Sequence, residues 1–145
     1  MKIIVQRCEK AKVTVKGKTV GSIESGLMLL VGFTHTDTEK EIDYMVDKVI
    51  NLRIFDDEAG IMNKSLIDTK GSILSVSKFT LYADPSKGRR PSYINALSGD
   101  KAINLYNLFN QKLKEKNIHV ETGLFGAEMK VDFINDGPIT IILEK

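Results

Sequence analysis

The run Leu27-Met28-Leu29-Leu30-Val31-Gly32-Phe33 constrains the fold more than any other stretch of this chain. Successive side chains of a strand point to opposite faces, so a strand that is apolar throughout needs cover on both. It therefore suits the middle of a sheet. Helices are predicted elsewhere in the sequence. Thr38 and Glu41 have the spacing of a capping box, and Ile42, Met45, Val46, Val49 and Ile50 then form one apolar stripe at helical period. A second amphipathic helix starts at Ser98, carries Ala102, Leu105, Tyr106, Phe109 and Leu113 on its buried face, and stops near Asn117.

The remaining segments read mostly as strands. Lys2–Cys8 is rich in β-formers, and Ala11–Val15 and Lys18–Ile23 flank a two-residue hairpin turn at Lys16-Gly17. Arg53–Phe55, Ser72–Ser77 running into Lys78–Leu81, Ile118–Glu121, Lys130–Ile134 and Ile139–Leu143 complete the set. Between the last two stands Gly137-Pro138. Proline cannot donate a ladder hydrogen bond, so it marks a break or an edge, and glycine before it widens the backbone angles available. A plain turn is one reading; a corner presenting bare backbone groups to a ligand is the other. With 145 residues and no visible linker, residues 1–145 form one α+β domain with two long amphipathic helices.

Composition excludes several function classes. The single cysteine, Cys8, permits no disulfide framework and no CxxC metal pattern, which fits a reducing cytoplasm. The N-terminal apolar run is too short for a signal peptide, and no stretch approaches the roughly 20 apolar residues that cross a bilayer. A net charge of +2 does not demand a nucleic-acid partner, so any RNA binding must come from local clustering. The histidines His35 and His119 have no partner at metal-ligand spacing, Asp56-Asp57-Glu58 lacks the pattern of a calcium loop, and no phosphate-cradling glycine motif is present.

Two segments carry candidate chemistry. Ser77-Lys78-Phe79-Thr80 ends a strand with hydroxyls, an amine and an aromatic ring, where backbone amides could converge on an oxyanion. A hydroxyl at a strand end is also commonly structural. Tyr82–Ser98 reads as a long surface loop, interrupted by Pro85, Gly88 and Pro91, and it carries Lys87, Arg89, Arg90 and Tyr93. Phosphate contact with base stacking is one reading of these residues, and a solvated loop is the other.

Taken in order, SKFTLYAD, KGRRPSY, TGLFGAEM and NDGPITIILE, after a first strand containing Gln6-Arg7, resemble the D-aminoacyl-tRNA deacylase family over essentially the whole chain. The resemblance implies a barrel-like arrangement of mixed and antiparallel sheets. It also implies a cytoplasmic homodimer, without metal or other cofactor, that hydrolyses the ester joining a D-amino acid, or glycine, to the 3′-terminal adenosine of tRNA. Gly137-Pro138 matches the family's Gly-cisPro motif, which inserts from one subunit into the active site of the other. Its carbonyls would hold the substrate amino group and exclude an L side chain, with Arg7 steadying the motif. Ser77, Lys78, Phe79 and Thr80 match the segment at the scissile carbonyl, and the terminal 2′-hydroxyl is expected to help the attacking water.

Phe125 and Met129 match a segment that lines the adenosine pocket, although core packing would account for both. Where the family usually has Gln, this chain has Lys78. A lysine accepts no hydrogen bond, so only a backbone role or a phosphate contact survives there. A non-catalytic tRNA-binding module and a small-ester hydrolase using Ser77 or Thr80 remain the rival readings.

Overall fold

A computed structural model describes residues 1–145. The sheet that forms the centre of the fold contains β1 (Lys2–Val15), β2 (Lys18–Gly32), β5 (Ser72–Ser77), β6 (Val120–Thr122) and β7 (Lys130–Glu144), in the order β6-β5-β2-β1-β7. The β1–β2 and β1–β7 pairs are antiparallel, whereas β2–β5 and β5–β6 are parallel. The sheet is thus mixed, and its ladder ends at β6 and β7 without closing on itself. Helices α1 (Glu39–Asn51) and α3 (Gly99–Glu115) pack against each other and the sheet, and no helix is long and apolar enough to cross a membrane. A small hairpin of β3 (Phe55–Asp56) and β4 (Met62–Lys64) leads into a short helix, α2 (Leu66–Thr69), which the sequence did not lead us to expect.

Strand β2 occupies the centre, as its apolar run requires. Leu27, Leu29 and Val31 enter the main core with α1 and α3, while Met28 packs on the other face with Cys8, Ala11, Val13, Leu74 and Val76. The hairpin at Lys16-Gly17 forms with both residues at positive φ, 47° and 79°, the geometry that matches the twist of a two-residue turn. The separate strands expected on either side of residues 9–10 and 24–26 are single long ones. In β1 the inward positions are Ile3 and Val5 for the main core, then Cys8, Ala11 and Val13 for the second cluster. Alternation alone cannot join Cys8 to Ala11. The ladder shifts register between Glu9 and Lys12, and Lys10 takes a φ of 49°, so one bulge re-aims the outer half of the strand.

The strands expected at Lys130–Ile134 and Ile139–Leu143 are likewise one edge strand, β7. Its ladder is interrupted where the proline lies. Gln6 pairs with Thr140 and Cys8 with Asn135, so Asp136, Gly137, Pro138 and Ile139 all lie opposite Arg7 alone. The chain bulges outward there, with Gly137 at a φ of 114° and a cis peptide between Gly137 and Pro138. Strand β5 stops at Ser77 rather than continuing through Leu81. Residues Phe79–Tyr82 form a 3₁₀ turn instead.

Candidate active site

The C-terminal ends of β2 and β5 open into a cleft of about 490 Å³. Leu30–Phe33 and Val76–Phe79 line it from the sheet side, Leu97–Gly99 and Ala102 from the start of α3, and Phe125–Met129 from the loop between β6 and β7. Ser98 stands at the helix N-cap as its sequence position suggests, yet its side chain makes no capping bond and it lines the cleft.

The turn after β5 is fixed by close backbone contacts. The Lys78 amide donates to Val31 O at 2.7 Å, the last rung of the parallel ladder. A side chain at Gly32 would place its Cβ 2.9 Å from Lys78 O and 3.2 Å from Leu81 Cβ, so glycine there lets the turn lie against β2. Within the turn the donors are Leu81 onward, Leu81 N reaching Lys78 O at 3.3 Å. The amides of Phe79 and Thr80 precede them and make no bond inside the turn, as at any helix start. Ser77 is half-buried, whereas Lys78 and Phe79 are exposed at the rim. Thr80, half-buried, follows directly in the turn but does not line the cleft.

The opposite wall is built from the β6–β7 loop. Ser75 O accepts from Gly123 N at 3.0 Å and from the Tyr106 hydroxyl at 2.8 Å, which ties the start of the loop and α3 to β5. The Tyr106 ring lies 5.8 Å from that of Phe125, so a buried tyrosine of α3 backs an aromatic of the cleft. Burial pushes the Tyr106 phenol above its ordinary range, which keeps it a neutral donor. A Cβ at Gly123 would stand 2.5 Å from Met129 Sδ, so the glycine makes room for Met129. Helical periodicity identifies Tyr106 only as a core residue; its role behind Phe125 is a matter of tertiary contact.

Phe79 is 51% exposed, and its ring meets Tyr93 edge-on at 5.1 Å between centroids. Tyr93 belongs to the basic loop, whose base is closed by paired backbone bonds between Asp84 and Ser92 at 2.8 and 2.9 Å. Lys87, Arg89 and Arg90 are exposed beyond that closure and take part in none of the chain's ion pairs.

Gly137, Pro138 and Arg7 do not line the cleft of their own chain. Gly137 and Pro138 are exposed on the β7 bulge. Arg7 is 8% exposed, donates from Nη1 to Ile54 O at 2.9 Å, and lies 3.5 Å from an Asp56 carboxylate oxygen. Its Nε stands 2.8 Å from Asp136 Oδ2, an ion contact without the alignment of a hydrogen bond. Arg7 therefore holds the bulge through the residue preceding Gly137.

The ionisable side chains lining the cleft are Lys78 and Glu128. Nothing in the sequence marks Glu128, because a lone carboxylate in a loop carries no pattern. His35 bonds Ile94 O at 2.8 Å and His119 pairs with Glu121 at 3.3 Å, both away from the cleft. The Cys8 thiol is buried and its pKa pushed up to about 12, so it stays protonated and unreactive.

Comparison with known proteins covers essentially the whole chain. The chain is 58% identical over 144 residues to the D-aminoacyl-tRNA deacylase of Brevibacillus brevis, covering 99% of each, and 56% identical to that of Bacillus velezensis, covering 99% of this chain and 98% of the relative. Among solved structures, one named c-Myc DNA Unwinding Element Binding Protein superposes with a TM-score of 0.94 at 41% identity, covering 100% of this chain and 99% of that one. A probable eukaryotic D-amino acid tRNA deacylase shares the fold, with a TM-score of 0.82 at 18% identity over 98% of this chain and 97% of the other. The family model described as D-Tyr-tRNA(Tyr) deacylase matches residues 4–144, and with these identities it establishes that the chain belongs to that family.

Proposed function

We propose that this protein hydrolyses the ester of D-aminoacyl-tRNA, and of glycyl-tRNA, releasing the free amino acid and tRNA in the cytoplasm. The observation that carries the proposal is the meeting, in one cleft, of the Ser77-Lys78-Phe79 strand end with Phe125 and Met129. A terminal adenosine would lie against Phe125 and Met129, leaving the ester carbonyl beside the strand end. The amides of Phe79 and Thr80, unbonded within their turn, then stabilise the negative oxygen of the tetrahedral intermediate, with Ser77 and Thr80 hydroxyls at its flank.

Water is the nucleophile in this reading. Neither Lys78 nor Glu128 hydrogen-bonds Ser77 or Thr80, so no side chain is held as a base against a nucleophile, and the 2′-hydroxyl of the terminal ribose orients the attacking water. The carbon–oxygen bond to the 3′-oxygen breaks; of the water's two protons one goes to that oxygen and the other to solvent, while the amino acid leaves as its carboxylate. Lys78 contributes through its backbone, and its ammonium contacts a phosphate of the RNA. The exposed Lys87, Arg89 and Arg90 supply further phosphate contacts.

Chirality is screened by a second copy of the chain in a homodimer. Carbonyl oxygens of the partner subunit's Gly137 and the partner subunit's Pro138 hold the α-ammonium group and fill the volume an L side chain would need. The exposure of this bulge, on an edge strand and outside its own cleft, supports that assignment. Glycine has no side chain to reject and is accepted. The test is hydrolysis of D-Tyr-tRNA against L-Tyr-tRNA by the purified protein. The D-substrate should be cleaved on the order of 10²-fold faster; equal or absent hydrolysis of the two would refute the proposal.

The lack of a nucleophile–base pair at the cleft also favours a second reading, a non-catalytic tRNA-binding module. Such a protein would bind charged and uncharged tRNA alike and release no amino acid.

A further inference from the structure

A second concavity, a groove of about 830 Å³, lies on the other side of the loop that walls the cleft. Residues Ala127 and Glu128 line both spaces, so the loop is a single wall between them. The outward positions of the β1–β2 hairpin and of β7 face this groove with Lys12, Thr14, Lys16, Lys130 and Asp132. Thr14 and Lys130 are direct partners in the ladder, as are Lys12 and Asp132.

The charges in the groove are not equivalent. Lys12 stands 3.5 Å from Asp132 and offsets it. Lys16 and Lys130 enter no ion pair, which leaves two free ammonium groups and the Thr14 hydroxyl on one surface, against the single carboxylate of Glu128. Leu124, 52% exposed, adds an apolar contact at the same wall.

We infer that this groove binds the RNA phosphates adjoining the 3′-terminal nucleotide, with Lys16 and Lys130 as the principal contacts. The inference rests on the deacylase reading of the cleft and extends it to the path of the polymer. An adenosine held by Phe125 and Met129 is joined to a chain that must leave the cleft, and the path over the shared wall leads directly to the two free ammoniums.

The test is binding of uncharged tRNA by the full chain, titrated over a range of salt. A variant carrying Lys16→Asn and Lys130→Gln is compared with wild type. Asparagine tolerates the φ of 47° at position 16, so the hairpin turn is preserved. The expected result is about tenfold weaker binding, with a dependence of log K on log salt shallower by about 1.5, as loss of two phosphate contacts requires. Lys40→Gln with Lys48→Gln on α1 changes net charge equally outside the groove and should leave that slope unchanged. The inference is overturned if the groove variant keeps the wild-type slope and affinity, or if both variants change alike. Because binding is read without turnover, a protein that shows this groove-dependent slope yet cleaves no D-aminoacyl-tRNA would refute the deacylase reading and leave the groove assignment standing.

Discussion

At the scale of single residues, the site is notable for how little side-chain acid–base chemistry it contains. Lys78 and Glu128 are its ionisable lining, both histidines lie elsewhere, and the Cys8 thiol is buried and protonated. In the deacylase reading proposed above, catalysis leans on backbone amides and on groups the substrate brings. Thr80 illustrates the distinction. Its position in the turn beside the cleft invites a nucleophile's role, but no imidazole, carboxylate or amine accepts its proton by hydrogen bond. Thr80→Ala should lower kcat by about tenfold, the loss of one assisting hydrogen bond, with KM nearly unchanged. Steady-state kinetics on D-aminoacyl-tRNA checks this, and complete loss of turnover with intact tRNA binding would instead require a covalent mechanism.

At the scale of elements, local sequence signals correspond to structure where the chain satisfies its own backbone. The Thr38–Glu41 capping box forms in full, Thr38 accepting at the helix start while Glu41 accepts from the Thr38 amide and hydroxyl at 2.8 and 2.6 Å. Those bonds hold the Glu41 carboxyl below its ordinary value of 4.5, chiefly through the Thr38 hydroxyl. A depressed folded-state pKa contributes stability that is present above the unfolded value and is lost as pH falls through the folded one. Thr38→Ala removes the N-cap and should destabilise the protein by about 1 kcal/mol at neutral pH. The difference from wild type should narrow as pH falls below the ordinary carboxylate value of 4.5 and through the depressed folded-state one, where the Glu41 carboxylate of wild type takes up its proton. Urea midpoints measured at neutral and acid pH test both halves of the expectation.

Where elements depend on neighbours, the sequence misled. Ser72–Ser77 alternates as a strand should, but nothing in Lys78–Leu81 announces that β5 ends against Gly32 and tightens into a 3₁₀ turn. Likewise, residues 2–15 look like two strands because a bulge near Lys10 changes the face that is buried, and a period-2 reading treats that change as an interruption.

At the scale of the whole molecule, β7 is the deciding feature. It is an edge strand of 15 residues with Ile134 and Ile142 exposed at 52% and 66% and with the Gly137-Pro138 bulge directed away from its own cleft. Long open edges of this kind are normally covered, and a second copy would cover it while completing each site. Complementation tests the arrangement. Pro138→Ala with Gly137→Ala spoils the bulge but leaves the cleft intact, and Phe125→Ala with Met129→Ala, which strips the proposed adenosine contacts, does the reverse. Each should be nearly inactive alone, and mixing them under conditions that exchange subunits should restore about a quarter of wild-type activity, since half the dimers would carry one complete site. No recovery would place the bulge and the cleft of one chain in the same site.

The division between sequence and tertiary structure follows from the range of the forces involved. Hydrophobic period, capping and turn chemistry act over a few residues, so the central strand Leu27–Phe33, both long helices, the Lys16-Gly17 turn and the segments of the site were legible in the sequence alone. The site itself was not. That Tyr106 backs Phe125, that Gly123 admits Met129, that Glu128 lines the cleft and that Arg7 holds Asp136 beside Gly137 are contacts between residues far apart in the chain. They are fixed only when close packing of the sheet and α3 leaves each side chain a single place to go.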